Sequence, residues 1–83
     1  MNDWIERKRP DRLEVRFDFD NYEATRDFLD QLGKLCESKN RFPDISFGKT
    51  YVNLTLKPEI EEENAPISQS DKEFASEIKL LIT

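Results

Sequence analysis

Residues 36–57 read CESKNRFPDISFGKTYVNLTLK, and this stretch decides the fold. Val52, Leu54 and Leu56 alternate with Asn53 and Thr55, the period-two pattern of a strand with one buried face. Ile45 and Phe47 alternate in the same way just upstream. Gly48, between the two runs, is a residue tolerant of positive φ where the chain must reverse. A helix cannot run comfortably into Phe42, because the residue before a proline is pushed out of the α region. Residues 40–44 therefore read as an irregular loop between a helix and a hairpin, the kind of rigidly framed position where function tends to sit.

Working outward, Leu13, Val15, Phe17 and Phe19 alternate with Glu14, Arg16 and Asp18, a second half-buried strand. Pro10-Asp11 reads as a turn, so the short segment from Trp4 to Arg9 is expected to pair with that strand at an edge. Its Arg-Lys-Arg run fits an edge guarded by charge and also a docking patch for an acidic partner. Asp20-Asn21 signals a helix start, with Glu23 an acid in the first turn. Thr25, Phe28, Leu29, Leu32, Leu35 and Cys36 then fall on one helical stripe. Gly33 inside that pattern marks either close packing on the sheet or a weak point. Residues 58–66 form a Glu-rich loop. Ser68-x-x-Asp71 resembles a capping box and opens a helix with Phe74, Ala75, Ile78, Leu81 and Ile82 on one face. The order strand, strand, helix, strand, strand, helix predicts a two-layer α+β domain over residues 1–83: a four-stranded antiparallel sheet with two helices on one face.

The 83 residues carry 13 basic and 18 acidic side chains, a net charge of −5. Without a basic stripe, generic nucleic-acid binding is excluded as an expectation. No stretch approaches the ~20 apolar residues of a membrane span, and the single cysteine excludes an internal disulfide, so a cytoplasmic protein is expected. A chain this short buries only about 60% of its unfolded surface, and would gain stability from a partner subunit.

Glu37-x-x-Asn40-x-x-Pro43-Asp44, followed by Val52-Asn53-Leu54-Thr55-Leu56, resembles the pterin-4a-carbinolamine dehydratase family. That family carries two histidines ahead of the proline and a third beyond the hairpin. Here the three positions hold Arg41, Phe42 and, approximately, Glu59, and the sequence contains no histidine. The segments at 9–14 (RPDRLE), 25–30 (TRDFLD) and 43–53 (PDISFGKTYVN) resemble a histidine-free branch of the family, the Rubisco assembly factors of α-carboxysomes. The long acidic stretch at 58–66 departs from the family's usual glycine-containing turn. The resemblance implies a β-β-α-β-β-α fold, often dimeric. It also implies a non-catalytic chaperone that binds Rubisco, the large subunit being the expected contact, in the cytoplasm or at the carboxysome.

The residue chemistry is consistent with lost catalysis. Histidine exchanges protons near neutral pH without perturbation, whereas Arg41 cannot act as a base and Phe42 has no proton to exchange. Neither a metal constellation nor a phosphate-binding glycine loop is present, so no cofactor is expected. Arg41, Phe42, Asp44, Lys49, Tyr51 and Asn53 are the candidate partner-binding residues, grouped as one patch, since arginine and aromatic residues dominate interface energetics. Three of them have a plainer reading as well: a solvated Arg41, a Phe42 tucked into the core, a Tyr51 packed against Arg16 of the neighbouring strand. The alternative function is a dehydratase or pterin-binding relative working through Glu59 and Asp44.

Overall fold

Leu13, Val15 and Phe17 face the same side as Val52, Leu54 and Leu56 because the strands that carry them are direct neighbours, with Leu13 opposite Leu56 and Phe17 opposite Val52. In the computed structural model, which describes residues 3–60 and 65–82, six elements follow in order. They are β1 (Ile5–Arg7), β2 (Arg12–Asp18), α1 (Tyr22–Lys39), β3 (Asp44–Phe47), β4 (Tyr51–Leu56) and α2 (Gln69–Leu80). The sheet order is β1-β2-β4-β3, antiparallel throughout. The two hairpins thus join through their inner strands, and the fold is the expected two-layer α+β arrangement.

The core lies between the apolar face of β2 and β4 and the two helices. Phe28, Leu32 and Cys36 of α1 and Phe74, Ala75 and Ile78 of α2 are buried on it. Phe28 meets Phe17 edge-on with ring centroids 5.5 Å apart, a favoured aromatic geometry. Each such side chain contributes roughly 1.5–3 kcal/mol when buried. Trp4, just before β1, donates its indole N–H to the Ala75 carbonyl at 2.9 Å and ties the N-terminal segment to α2.

Both helix starts use their sequence signals. The Asn21 side chain accepts from the Ala24 N–H at 2.8 Å, and Ser68 with Asp71 forms a complete capping box. Helix α1 ends on Asn40 in the left-handed conformation, with φ 53°, one of the few residues that visits this region readily.

Three local expectations resolve differently or more narrowly than the sequence suggested. Gly33 is exposed and a Cβ built there meets nothing within 4 Å, so it packs against no part of the sheet. Gly48 has no positive φ; instead the ring of Tyr51 occupies the space a Cβ would fill, at 2.2 Å from Cε2. Ile45 and Phe47 share the helix-side face with Leu54 and Val52, yet they stay 43% and 56% exposed. The helices cover the two inner strands and stop short of the β3 edge.

Candidate binding site

Asp71 organises the end of the molecule where Arg41 and Glu59 meet, beside Phe42. Its carboxylate accepts from the Ser68 N–H at 2.8 Å and the Ser68 hydroxyl at 2.9 Å. The Glu59 N–H donates to it at 3.1 Å, and Arg41 Nη2 lies 3.0 Å away as an ion pair. Burial alone would push this carboxyl up, but the Ser68 and Glu59 hydrogen bonds and the Arg41 charge hold it below the usual aspartate value. The sequence pattern gives Asp71 a capping role and nothing more. A carboxylate at the third position of a capping box, three residues into a helix, was the available signal.

Arg41 departs from the expectation of an outward guanidinium. Its side chain is 12% exposed, Nη2 also donates to the Lys57 carbonyl at 3.1 Å, and the group stacks 5.1 Å over the Phe74 ring. The carboxylate it grips is internal. Among the described residues Nη1 is buried without a hydrogen-bond partner. Arg41 holds the 40–44 loop against α2 and the β4 exit.

Phe42, the next residue, does not turn inward. It is 70% exposed, so it is not tucked into the core. Beside it opens a cavity of about 440 Å³ lined by Pro10, Arg41, Phe42, Thr55, Lys57 and Ile60, among others. Asp44 and Glu59 also line it. Asp44 pairs with Lys57 at 3.3 Å, both well exposed, a contact worth little in stability. Ser70 donates its hydroxyl to Glu59 at 3.3 Å.

Tyr51, Asn53 and Lys49 sit elsewhere. Tyr51 is half-buried under the Arg16 guanidinium, 4.5 Å from its ring centroid, and so adopts the cross-strand packing with Arg16. Asn53, half-buried, lies opposite Arg16 on one side and Ser46 on the other. Lys49 is exposed in the β3–β4 turn. Because Asp44 pairs with Thr55, Tyr51 is four residues further along, ~13 Å at strand spacing. Arg41, Phe42 and Asp44 lie at one end of the hairpin and Lys49 and Tyr51 at the other, with Asn53 between them opposite Ser46. They are not one compact patch. The acidic stretch at 61–64 lies outside the described residues.

Among the described residues no cluster of three metal-ligating side chains occurs, and no helix is long and apolar enough to cross a membrane. The model of the pterin 4 alpha carbinolamine dehydratase family matches residues 1–81. The chain belongs to this family. No curated protein sequence matches it significantly. A solved pterin dehydratase-like protein, identified as a RuBisCO assembly factor in the α-carboxysome, is 34% identical, with a TM-score of 0.86. The match covers 100% of this chain and 96% of that one. At Arg41, the first of the positions that the resemblance gives to histidines, the side chain is an arginine paired with Asp71.

Proposed function

We propose that this pterin dehydratase-like chain is a non-catalytic assembly factor that binds Rubisco, through the large subunit, and promotes its assembly for the α-carboxysome. The observation that carries the reading is the 34% identity to an α-carboxysome RuBisCO assembly factor along the whole chain. The site chemistry supports it. The family's proton-exchanging positions hold an arginine committed to an internal carboxylate and an exposed phenylalanine. Neither performs the acid–base work of a dehydration near neutral pH. Phe42, Asp44, Lys49, Tyr51 and Asn53 make the partner-facing surface, with Arg41 fixing the loop that presents Phe42. The protein acts as a homodimer, in the cytoplasm or at the carboxysome, and uses no cofactor or metal.

The test is Rubisco assembly yield with wild-type protein, Phe42→Ala and Tyr51→Ala. Loss of yield in Phe42→Ala with unchanged melting supports the reading; full yield from both variants overturns this surface. The dehydratase reading rests on family membership and on Glu59 and Asp44 at the cavity. Acceleration of 4a-hydroxytetrahydropterin dehydration by the wild-type protein would establish that reading instead.

A further inference from the structure

Two exposed apolar side chains from separate parts of the chain line one concavity. Phe42, in the loop after α1, is 70% exposed, and Ile60, beyond β4, is 56% exposed. Both border the cavity of about 440 Å³ at this end of the molecule. Leu56 at the end of β4 and Ala65 also line it and are buried, so its inner surface is apolar as well. Exposed apolar side chains gathered around a concavity with a polar rim mark a surface that meets a partner.

The walls are set before anything arrives. Pro10, Pro43 and Pro58 each contribute to them, and a proline ring fixes its own φ. Arg41 is held by Asp71 at 3.0 Å, by the Lys57 carbonyl at 3.1 Å and by stacking over Phe74. Walls that need no ordering reduce the entropy lost on binding. The rim also has a sign. Asp11, Asp44 and Glu59 line the cavity with Lys57 and Arg41, and Arg41 is turned onto an internal carboxylate. That leaves three acids to one outward base. Lys57 pairs with Asp44 at 3.3 Å and Lys8 with Asp11 at 3.7 Å. Glu59 accepts from the Ser70 hydroxyl and, among the described residues, pairs with no cation.

We infer that this cavity docks a basic segment of the partner. One apolar side chain of that segment enters between Phe42 and Ile60, while flanking lysines or arginines meet Glu59 and the neighbouring acids. The inference rests on the partner reading above and names the chemistry that the partner offers. At about 440 Å³ the space lies toward the small end of ligand pockets, ~300–1,000 Å³. A projecting side chain fits it and a flat folded surface does not. An acidic segment would set its charge against Asp11, Asp44 and Glu59, a like-charge contact that opposes binding. The net charge of −5 acts the same way at longer range, drawing a cationic segment in and turning an anionic one away.

The probes are the intact Rubisco large subunit and a set of short overlapping peptides that tile its sequence. Retained peptides are expected to carry an apolar residue flanked by lysine or arginine. Their retention is expected to fall as salt rises from ~0.05 to ~0.5 M, since exposed charges are screened. Phe42→Ala and Ile60→Ala are each expected to weaken peptide binding roughly five- to thirtyfold, as truncation of an interface anchor does. Both side chains are exposed, so melting temperatures are expected to be retained. Glu59→Lys is expected to weaken binding roughly two- to fivefold. Glu23→Lys, the same change of charge near the other end of α1, is expected to leave it unchanged. Peptides bound in this pattern without the intact subunit support the cavity chemistry and move the contact to a stage before the subunit folds. Binding of the intact subunit without any peptide overturns the inference and leaves the partner reading standing. Retained peptides that are acidic, or binding untouched by Phe42→Ala and Ile60→Ala, overturn the inference in the same way. If neither the subunit nor any peptide binds, the partner reading falls with it.

Discussion

Arg41 Nη2 lies 3.0 Å from Asp71 Oδ1, with the two side chains 12% and 1% exposed. A residue in a loop after α1 is thereby fastened to the first turn of α2, thirty positions on in the chain (71 − 41). Removing one member of a buried pair leaves the other charge uncompensated, a cost of roughly 3–5 kcal/mol. Asp71→Ala is therefore expected to lower unfolding free energy by about 3 kcal/mol, read by urea denaturation. In an Arg41→Met background the same substitution is expected to cost clearly less. Equal costs in both backgrounds would show that capping by Asp71, and not the ion pair, carries the effect.

The same carboxylate gives the protein an acid limit. Its folded pKa is held below the ordinary aspartate value by the Ser68 and Glu59 hydrogen bonds and by Arg41, which outweigh its burial. A depressed folded pKa contributes stability that is complete above the unfolded value of about 4 and is lost as pH falls through the folded value. Denaturation midpoints measured from pH 7 down to pH 2 are expected to fall more steeply below pH ~4 in wild type than in Asp71→Asn. Parallel curves would remove Asp71 from the account.

Gly33 offers a stabilising change. It lies inside α1, exposed, with nothing near the position of a Cβ. Gly33→Ala is expected to add about 0.5–1 kcal/mol by restricting the unfolded chain and favouring the helix. Thermal melting checks this, and a loss of stability would mean that the α1 backbone there is not free to accept a methyl group.

Gly48→Ala goes the other way. The added Cβ would sit 2.2 Å from Tyr51 Cε2, so the ring must leave its place beneath Arg16. Overpacking of this kind costs roughly 1–3 kcal/mol. If the Gly48→Ala, Tyr51→Ala double variant is as stable as Tyr51→Ala alone, the clash is the whole cause.

Restoring histidine at positions 41 and 42 is not expected to restore dehydration. Arg41→His with Phe42→His still lacks the third histidine, and residues that act as a catalytic unit are strongly non-additive. The exchange also breaks the pair with Asp71. Turnover of a 4a-hydroxytetrahydropterin by the double variant, measured alongside its melting, checks both halves: no activity and a lowered midpoint are expected.

Most of the architecture was legible in the sequence because period and punctuation are local. The alternation 13–17 and 52–56, the stripe Thr25–Phe28–Leu32–Cys36 and the Ser68–Asp71 capping box each specify an element from residues a few positions apart. Their burial follows once the elements stack: the apolar residues of these patterns, with Thr25 and Asp71, are in the buried set. The loss of the histidines was equally plain, since an absence from the chain needs no coordinates.

Tertiary structure alone decided what those side chains meet. Alternation gave Ile45 and Phe47 an apolar face but not the fact that the helices end before β3, which leaves that face exposed. A positive-φ role for Gly48 was the natural local reading, whereas its actual constraint is a ring from three residues on. Arg41 and Asp71 looked independent, one a loop cation and the other a helix cap. Their pairing depends on how α2 docks beside the exit of β4, a contact distant in sequence. Local pattern fixes which residues form an element, because it acts through neighbouring dihedrals. Which charge finds which, and which apolar face stays open, depends on the packing of distant elements.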